Sequence, residues 1–279
     1  MKVIKKIEEM RKYVRERKGS KLIGLVPTMG YLHEGHLSLI RKARKECDEV
    51  IVSVFVNPTQ FGQGEDYHLY PRDLPRDVAL SERENVDVIF APSPEEMYPE
   101  GYSTFVQVEG RLSSVLEGTS RPGHFKGVCT VLTKLFNIVD PDLSFFGEKD
   151  YQQALVVKKM VKDLNINTQV VLLPTVREKD GLAMSSRNSY FNDKERRAAT
   201  ILYRSLKKAR EWIEQGEKNS SQIISKMRNF IEKEPLARVD YIAVVDSESL
   251  EEVRKIKRGN IIALAVYIGK VRLIDNMRV

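Results

Sequence analysis

Short apolar runs alternate with stretches whose apolar residues recur every three or four positions along the first two thirds of the chain. The runs predict buried strands of a parallel sheet, at residues 22–26, 49–56, 86–91, 143–146 and 168–173. The periodic stretches predict amphipathic helices, at residues 35–47, 73–84, 127–139 and 150–164. This alternation indicates an α/β fold in which a Rossmann-like parallel sheet carries helices on both faces.

The pattern changes after Tyr190. Two charged helical segments, at 193–215 and 220–234, precede two β-rich segments at 239–246 and 260–275. This order predicts a smaller C-terminal α+β domain. We therefore expect one domain over residues 1–175 and a second, lid-like domain over residues 176–279.

Four polar or glycine-containing segments come directly after predicted strands. They cover residues 27–36, 57–64, 147–153 and 174–188. In an open parallel sheet, ligands bind in the crevice beyond the carboxyl ends of the strands. We therefore expect these four segments to meet at one crevice.

The first of these segments places two imidazoles at a strand-to-helix turn. It reads Pro27, Thr28, Met29, Gly30, Tyr31, Leu32, His33, Glu34, Gly35, His36. The following helix N-terminus favours an anion, and Gly30 and Gly35 let the backbone approach a ligand closely. His33 and His36 could also bind a metal, although no cysteine or third histidine nearby completes a zinc set. Taken alone, the two histidines could also be ordinary polar residues of a turn.

The third and fourth segments also carry groups suited to phosphate. Gly147, Glu148, Lys149 and Asp150 form a second glycine-bearing turn before a helix, where Lys149 would be a point charge for a phosphate. The alternative makes Asp150 a plain helix cap and leaves Lys149 in solvent. Two hydroxyls and a guanidinium, which suit a triphosphate, follow in the fourth segment at Met184, Ser185, Ser186 and Arg187.

Three further side chains could hold an acid substrate. Gln60 and Gln153 are neutral donors and acceptors suited to a hydroxyl or carboxylate oxygen, or else they are surface glutamines. Arg121 combines a bidentate anion binder with the rigid turn formed by Pro122 and Gly123. His124, next in this turn, could equally pack the turn or contact a ligand.

Composition excludes several classes of protein. The net charge is +7, from 46 basic and 39 acidic residues, but the basic residues alternate with acids along helices, as on solvated faces. The chain has no stripe of basic residues with interleaved aromatics, so we do not expect nucleic-acid binding. Cys47 and Cys129 form no C-x-x-C pair, and the charged start at residues 1–6 lacks the apolar segment of a secretory signal, so we expect a cytoplasmic protein. No apolar stretch reaches the roughly 20 residues that cross a bilayer.

Six segments together carry a resemblance to a known family, across essentially the whole chain. They are PTMGYLHEGH at 27–36, VNPTQF at 56–61, YPRD at 70–73, SRPGHFKGV at 120–128, FFGEKDYQQ at 145–153 and PTVREKDGLAMSSRN at 174–188. In this order they resemble the AMP-forming pantoate–β-alanine ligases. The first and last are also similar to the two signature regions of the wider nucleotidyltransferase group, which includes class I aminoacyl-tRNA synthetases.

The resemblance implies an ATP-dependent condensation of pantoate with β-alanine through an enzyme-bound pantoyl adenylate, giving pantothenate, AMP and pyrophosphate. Met29 to His36 would line the ATP site, with His36 as proton donor, His33 beside it and Lys149 as a further catalytic residue. ATP binding would be completed by Gly147, Glu148, Lys149, Asp150, Val176, Met184, Ser185, Ser186 and Arg187. Gln60 would contact pantoate and then β-alanine, and Gln153 and Arg121 would hold the acid substrate. The resemblance also implies Mg²⁺ with ATP, by ligands that remain unknown, and a homodimer.

Two other functions remain open from the residues alone. A related nucleotidyltransferase would release the adenylylated product instead of passing it to an amine. A noncatalytic nucleotide- or RNA-binding protein could use a similar scaffold without chemistry.

We also expect the smaller domain and the loop at residues 64–67 to cover the acyl adenylate, because this intermediate is prone to hydrolysis.

Overall fold

The computed structural model describes residues 1–279, and the chain divides into two compact units. The first unit contains residues 1–109, 121–148 and 152–174. The second contains residues 110–120, 149–151 and 175–279. A functional boundary after residue 175 stays a prediction.

Six parallel strands form the sheet of the first unit. They are β1 (Lys2–Ile4), β2 (Ile23–Thr28), β3 (Glu49–Val54), β4 (Val88–Phe90), β5 (Leu143–Gly147) and β6 (Gln169–Leu173). Their order across the sheet is β1-β4-β3-β2-β5-β6, and every pairing is parallel. The predicted parallel sheet is therefore confirmed. Strand β1, which the apolar pattern did not predict, extends one edge.

Eleven helices accompany the strands. In chain order they are α1 (Ile7–Arg15), α2 (Glu34–Glu46), α3 (Leu74–Arg83), α4 (Pro94–Met97), α5 (Arg111–Ser114), α6 (Glu117–Ser120), α7 (His124–Val139), α8 (Tyr151–Asp163), α9 (Asp193–Ala198), α10 (Ile201–Glu214) and α11 (Ser220–Ile231). Short 3-10 turns cover Pro58–Gln60, Glu148–Asp150 and Ser186–Tyr190. Helices α1 and α4 to α6 were not predicted.

Both faces of the first sheet are covered, as predicted. On one face, Val50 and Val52 of β3 pack with Ile40 and other apolar residues of α2. Neighbouring residues of a strand point to opposite faces. Glu49 therefore lies on the other face, where its carboxylate accepts a 2.7 Å hydrogen bond from the Tyr13 hydroxyl of α1. Helix α1 in turn contacts α7.

Pro27 lies inside β2, although the predicted strand covers only residues 22–26. Its partner across the ladder is Ser53 of β3. Ile23 exchanges hydrogen bonds with Asp142 on the β5 side, and Pro27 shares this direction because backbone groups alternate along a strand. Pairing with β5 stops at Leu25. The missing N–H of Pro27 therefore removes no ladder hydrogen bond.

The second unit contains a three-stranded antiparallel sheet with helices packed on it. Its strands are β7 (Ala237–Val245), β8 (Ile261–Ile268) and β9 (Val271–Arg278), in that order. Apolar residues of α10 and α11, such as Leu206 and Met227, form one core with Leu264 and other strand residues. The predicted smaller α+β region is confirmed. The second predicted β-rich segment is a hairpin, which turns at Gly269 with φ of 57°.

The helix predicted over 193–215 is broken between α9 and α10, so the prediction of one continuous helix was wrong. The Arg197 carbonyl accepts hydrogen bonds from both the backbone N–H (3.2 Å) and the hydroxyl (2.8 Å) of Thr200. These three-residue spacings tighten the chain into a turn. Among all the helices, none is long and apolar enough to cross a membrane.

Candidate active site

The turn between β2 and α2 has its backbone held by two side chains. The Gly30 N–H donates to the Thr28 hydroxyl oxygen (3.0 Å), and that hydroxyl donates to the Ser53 carbonyl (2.7 Å). The N–H groups of Tyr31 and Leu32 donate to the two carboxylate oxygens of Asp77, at 2.8 and 2.7 Å. Three consecutive N–H groups are thereby satisfied within the protein. The turn is fixed before any ligand binds.

Gly30 is required in this turn for two reasons. Its φ is 80°, a conformation that side chains disfavour. An added Cβ would lie 2.8 Å from a methyl of Val54 and 2.9 Å from an oxygen of Asp77. Asp77 itself is completely buried in α3, and this burial raises the pKa of its carboxyl despite the two backbone N–H groups that favour the anion.

The two histidines of the turn stack on each other. Their ring centroids are 4.0 Å apart and their planes differ by 23°. The backbone N–H of His33 donates to Nδ1 of His36 at 3.3 Å. Because Nδ1 accepts this hydrogen bond, neutral His36 carries its proton on Nε2. His36 can therefore donate an Nε2–H hydrogen bond to an anion in the first turn of α2, where the helix dipole favours negative charge.

Gln60 is the buried residue of the 3-10 turn that follows β3. Its side-chain oxygen accepts a 3.1 Å hydrogen bond from the amide of Asn57, which also donates to the Gly127 carbonyl at 3.1 Å. The Gln60 amide nitrogen lies 3.1 Å from the sulfur of Met29. The structure therefore brings the first and second predicted segments together, and it joins the second to α7.

Arg121 and His124 support the backbone of Gln60. His124 donates from Nδ1 to the Gln60 carbonyl (2.8 Å) and accepts at Nε2 from Arg121 (3.1 Å). The Arg121 guanidinium also makes a two-pronged pair with Glu65, at 2.7 and 2.8 Å. Burial alone would raise the pKa of Glu65, but the hydrogen bonds from Arg121 outweigh it and lower that pKa. Arg121 thus has a supporting role here, and its contact with substrate stays a prediction.

Two predicted residues of the first unit lie at the ends of β5 and α8. Gly147 is the last residue of β5, and nothing lies within 4 Å of the position of an added Cβ. Gln153 is half-buried in the first turn of α8. In the parallel sheet, β5 is a direct neighbour of β2. Gly147 therefore ends the strand next to the one that carries the histidine turn.

In the second unit, the loop after β6 folds back on itself. The Met184 N–H donates to the Val176 carbonyl at 3.0 Å, and Arg177 pairs with Ala183 in an antiparallel bridge. Gly181 at the tip has φ of 94°, and an added Cβ would lie 1.9 Å from the Tyr203 ring. Val176 and Met184 are thus held side by side.

The polar residues that follow this fold begin a 3-10 turn. The Ser185 hydroxyl oxygen accepts a 3.3 Å hydrogen bond from the Arg187 N–H and caps the turn Ser186–Tyr190. Ser186 is buried, and Arg187 is half-buried. The cap fixes the backbone that carries both hydroxyls and the guanidinium.

Lys149 and Asp150 also belong to the second unit. The Lys149 ammonium lies 3.7 Å from an oxygen of Asp150, and the Lys149 carbonyl accepts a 2.9 Å hydrogen bond from Asn276. Whether all four predicted segments line one crevice stays a prediction. No group of three or more histidine, cysteine, aspartate or glutamate side chains that could hold a metal ion is present.

Several supporting residues were missed by sequence reasoning, and two of them, Asp77 and Asp275, left a signal. Asp77 and Ser81 of α3 are completely buried and lie on one face of that helix. Asp275 occupies a buried position of β9 between Leu273 and Met277. A charged residue at a core-facing position is a sign of a specific partner. Asn57, Glu65 and Asn276 left no comparable signal.

Comparison with known proteins gives a family match over nearly the whole chain. A family model described as Pantoate-beta-alanine ligase matches residues 2–278. A pantothenate synthetase of Carboxydothermus hydrogenoformans is 58% identical over 277 residues, covering 99% of this chain and 98% of that protein. A pantothenate synthetase of Thermosipho africanus is 58% identical over 278 residues, covering 99% of each chain.

Solved structures agree with the sequence comparison. The crystal structure of pantothenate synthetase from Thermus thermophilus superimposes with a TM-score of 0.95 at 48% identity, covering 100% of this chain and 99% of that one. A pantoate-beta-alanine ligase from Francisella tularensis, complexed with beta-gamma ATP and beta-alanine, gives a TM-score of 0.83 at 38% identity. It covers 100% of this chain and 97% of its own. The similarity therefore extends over both units.

Proposed function

The chain belongs to the pantoate–β-alanine ligase family and makes pantothenate from pantoate and β-alanine, and we propose that it does so through a pantoyl adenylate. In the first step a pantoate carboxylate oxygen attacks the α-phosphorus of ATP, and pyrophosphate leaves. In the second, the β-alanine amine attacks the acyl carbon, loses a proton and expels AMP. The observation that carries the first step is the histidine turn, with its fixed backbone and the Nε2–H donor of His36.

The first step brings two anions together, which repel each other in water. Donors that are already in place must offset this repulsion as charge builds on the phosphoryl oxygens. We assign this role to His36 and His33, at the N-terminus of α2, and to Lys149. No covalent intermediate on the protein is needed, because the carboxylate of pantoate is itself the nucleophile.

The remaining residues are assigned by their positions in the family motifs. We propose that Met29 to His36, Gly147 and Glu148 of the first unit contact ATP, as do Lys149, Asp150, Val176 and Met184 to Arg187 of the second. Gln60 would contact pantoate and then β-alanine, with Gln153 and Arg121 on pantoate. Gln60 is buried and its side chain is hydrogen-bonded to Asn57, which supports a fixed orientation of the Gln60 amide.

ATP is a substrate together with pantoate and β-alanine, and we propose that Mg²⁺ accompanies it. Magnesium in such enzymes is usually held by substrate phosphates together with one or two carboxylates. It needs no dedicated cluster of protein ligands, and it would supply charge neutralisation on the phosphates. We also propose a cytoplasmic homodimer; sedimentation equilibrium of the free protein tests the oligomeric state.

The reaction is tested by following products with each substrate omitted in turn. Repeated conversion of ATP to AMP and pyrophosphate, with pantothenate detected by mass, should require both pantoate and β-alanine. Pantoate-dependent exchange of pyrophosphate into ATP should proceed without β-alanine. A dinucleotide product in place of AMP would favour the related nucleotidyltransferase, and no turnover in any mixture would favour a noncatalytic binding protein.

The role of His36 is tested by two substitutions. His36→Ala should lower pyrophosphate exchange roughly 10²-fold or more, the usual range for removing a transition-state donor. His36→Asn keeps an acceptor near the His33 N–H but has no donor at the Nε2 position. This variant should unfold at nearly the same urea concentration as wild type, and its pyrophosphate exchange should fall by the same factor as in His36→Ala. Near-normal exchange in both variants would refute the role of His36.

The lid role of residues 176–279 and of the loop at 64–67 also stays a proposal. Glu65 in this loop is held by Arg121. Limited proteolysis with and without ATP plus pantoate would test whether these two regions close over the bound substrates. Identical cleavage of both regions under the two conditions would count against a cover.

A further inference from the structure

Two neighbouring polar residues of β9, the last strand of the second unit, contact two other segments of that unit. These are the backbone of Lys149 and the loop that contains Arg177, and both segments carry residues assigned to ATP. Asp275 is 3% exposed, and Asn276 follows it. We propose that Asp275 and Asn276 are positioning residues for ATP binding, acting through Arg177 and through the backbone of Lys149. This inference rests on the proposed ATP role of Lys149, of Val176 and of residues 184–187.

Asp275 makes a two-pronged ion pair with Arg177. The guanidinium nitrogens lie 2.6 and 2.9 Å from the two carboxylate oxygens. The same guanidinium donates to the Gly181 carbonyl at 3.1 Å and stacks over the Tyr203 ring at 4.3 Å. One buried carboxylate therefore holds the fold of the loop that continues into Met184 and the capped turn after it.

A charged carboxylate at the position of Asp275 costs free energy because the position is buried. It lies on the core-facing side of β9 with Leu273 and Met277, and burial raises the pKa of its carboxyl while Arg177 opposes this. Apolar residues of similar size often stabilise a protein as well as a buried ion pair does. The ion pair gives Arg177 and its loop a defined orientation, which an apolar pair would not provide.

Asn276 fixes the other segment. Its side-chain amide donates to the Lys149 carbonyl at 2.9 Å, across 127 residues of sequence. Its backbone N–H donates to Asp275 at 2.8 Å, and its carbonyl accepts from Arg177 at 3.4 Å. The backbone of Lys149 and the loop of Arg177 are thus bound to the same two residues of one strand.

A common anchor matters because a triphosphate needs its cationic contacts at fixed separations. Small misplacements of groups that hold a reacting substrate cost large factors in rate. We expect loss of the anchor to weaken ATP use while the β-alanine step keeps its own KM. A role confined to stability would instead leave the KM for ATP unchanged at temperatures well below unfolding.

The test begins with Asn276→Ala in the full-length protein. It should fold, raise the KM for ATP in pyrophosphate exchange about tenfold, and leave the KM for β-alanine within twofold. Asn260→Ala is the matched control, because Asn260 is a buried asparagine of the same unit whose side chain accepts from the Lys257 N–H, away from the assigned segments. It should lower stability without changing either KM.

A double-mutant cycle then asks whether Asn276 acts through Lys149. If it does, Asn276→Ala combined with Lys149→Ala should be no worse in ATP use than Lys149→Ala alone. Additive losses, or an unchanged KM for ATP in Asn276→Ala, would overturn the inference while leaving the proposed function in place. Normal ATP use by Lys149→Ala would overturn the inference together with the proposed ATP role of Lys149.

The Asp275 part needs a variant that still folds. Arg177→Met together with Asp275→Leu replaces the ion pair by apolar groups and leaves no lone buried charge. This double variant also loses the Arg177 hydrogen bond to the Gly181 carbonyl and the Asn276 N–H bond to Asp275, so it should unfold at a lower urea concentration than wild type, remain folded without urea, and raise the KM for ATP about tenfold. Wild-type ATP kinetics in a stable double variant would refute a positioning role for Asp275.

Discussion

Asp77 offers the sharpest test of how the histidine turn is held. Its two oxygens accept hydrogen bonds from consecutive backbone N–H groups, of Tyr31 at 2.8 Å and Leu32 at 2.7 Å, at a completely buried position. In Asp77→Asn the side chain keeps one acceptor, and its NH₂ group faces the second N–H. In Asp77→Ala both N–H groups lose their partner.

The expected magnitudes follow from the number of donors left without an acceptor. An unsatisfied buried donor costs about 1–3 kcal/mol. Burial raises the pKa of Asp77, so removing its charge returns part of this loss. We therefore expect Asp77→Asn to reduce the free energy of unfolding by about 1–2 kcal/mol, and Asp77→Ala by roughly 2–5 kcal/mol.

The loss of catalysis is measured separately from the loss of stability. Because the turn leads directly to His33 and His36, release of its backbone should lower pyrophosphate exchange by roughly 10- to 100-fold in Asp77→Asn. Exchange is measured at a temperature where urea titration shows both proteins fully folded. The KM for ATP and the maximal rate are recorded separately.

Asp73→Asn is the matched control on the same helix. The Asp73 carboxylate accepts from the Arg76 N–H at the N-cap of α3 and makes no contact with the turn. It should lose roughly 0.5–1 kcal/mol or less of stability and keep the wild-type exchange rate. Equal rates in Asp77→Asn and Asp73→Asn would refute the reasoning, since both would then act only on stability.

Two further predictions concern the support of Gln60. Gly127→Ala should cost about 1–3 kcal/mol and raise the KM for pantoate, because the new Cβ would lie 2.2 Å from the Thr59 carbonyl oxygen; an unchanged KM would contradict this. Glu65→Gln should cost roughly 1 kcal/mol at pH 7. Since Arg121 lowers the pKa of Glu65, its contribution is present above about pH 4.3 and lost as pH falls through the lowered pKa. Urea titrations at pH 7 and pH 3 would show the difference from wild type shrinking, and a constant difference would count against the ion pair.

The parallel sheet could be predicted because its central strands are buried on both faces. Such strands appear as continuous apolar runs, and all five predicted runs are present. Strand β1 was missed because it has three residues and two of them, Lys2 and Val3, are exposed. Helices α4 to α6 have four residues each, too few for a helical period to be visible.

The site could be predicted only as far as its local motifs. The turn that carries His33 and His36 is a continuous segment, so its strand, glycine and helix start can all be read from sequence. Its support by Asp77 depends on where α3 packs, 45 residues later. The hydrogen bond from Asn276 to Lys149 spans 127 residues and joins segments that no local pattern relates.

Three carboxylates support the assigned residues, and each has its charge matched by a donor within the protein. Asp77 accepts from two backbone N–H groups, Glu65 from Arg121 and Asp275 from Arg177. An unmatched carboxylate near the ATP phosphates would repel them, whereas a hydrogen-bonded one orients backbone at little electrostatic cost. Removing a donor should therefore be more harmful than removing its acid, because it leaves a buried negative charge as well as a loosened segment. The same acids that rigidify the chain would then oppose the binding of ATP.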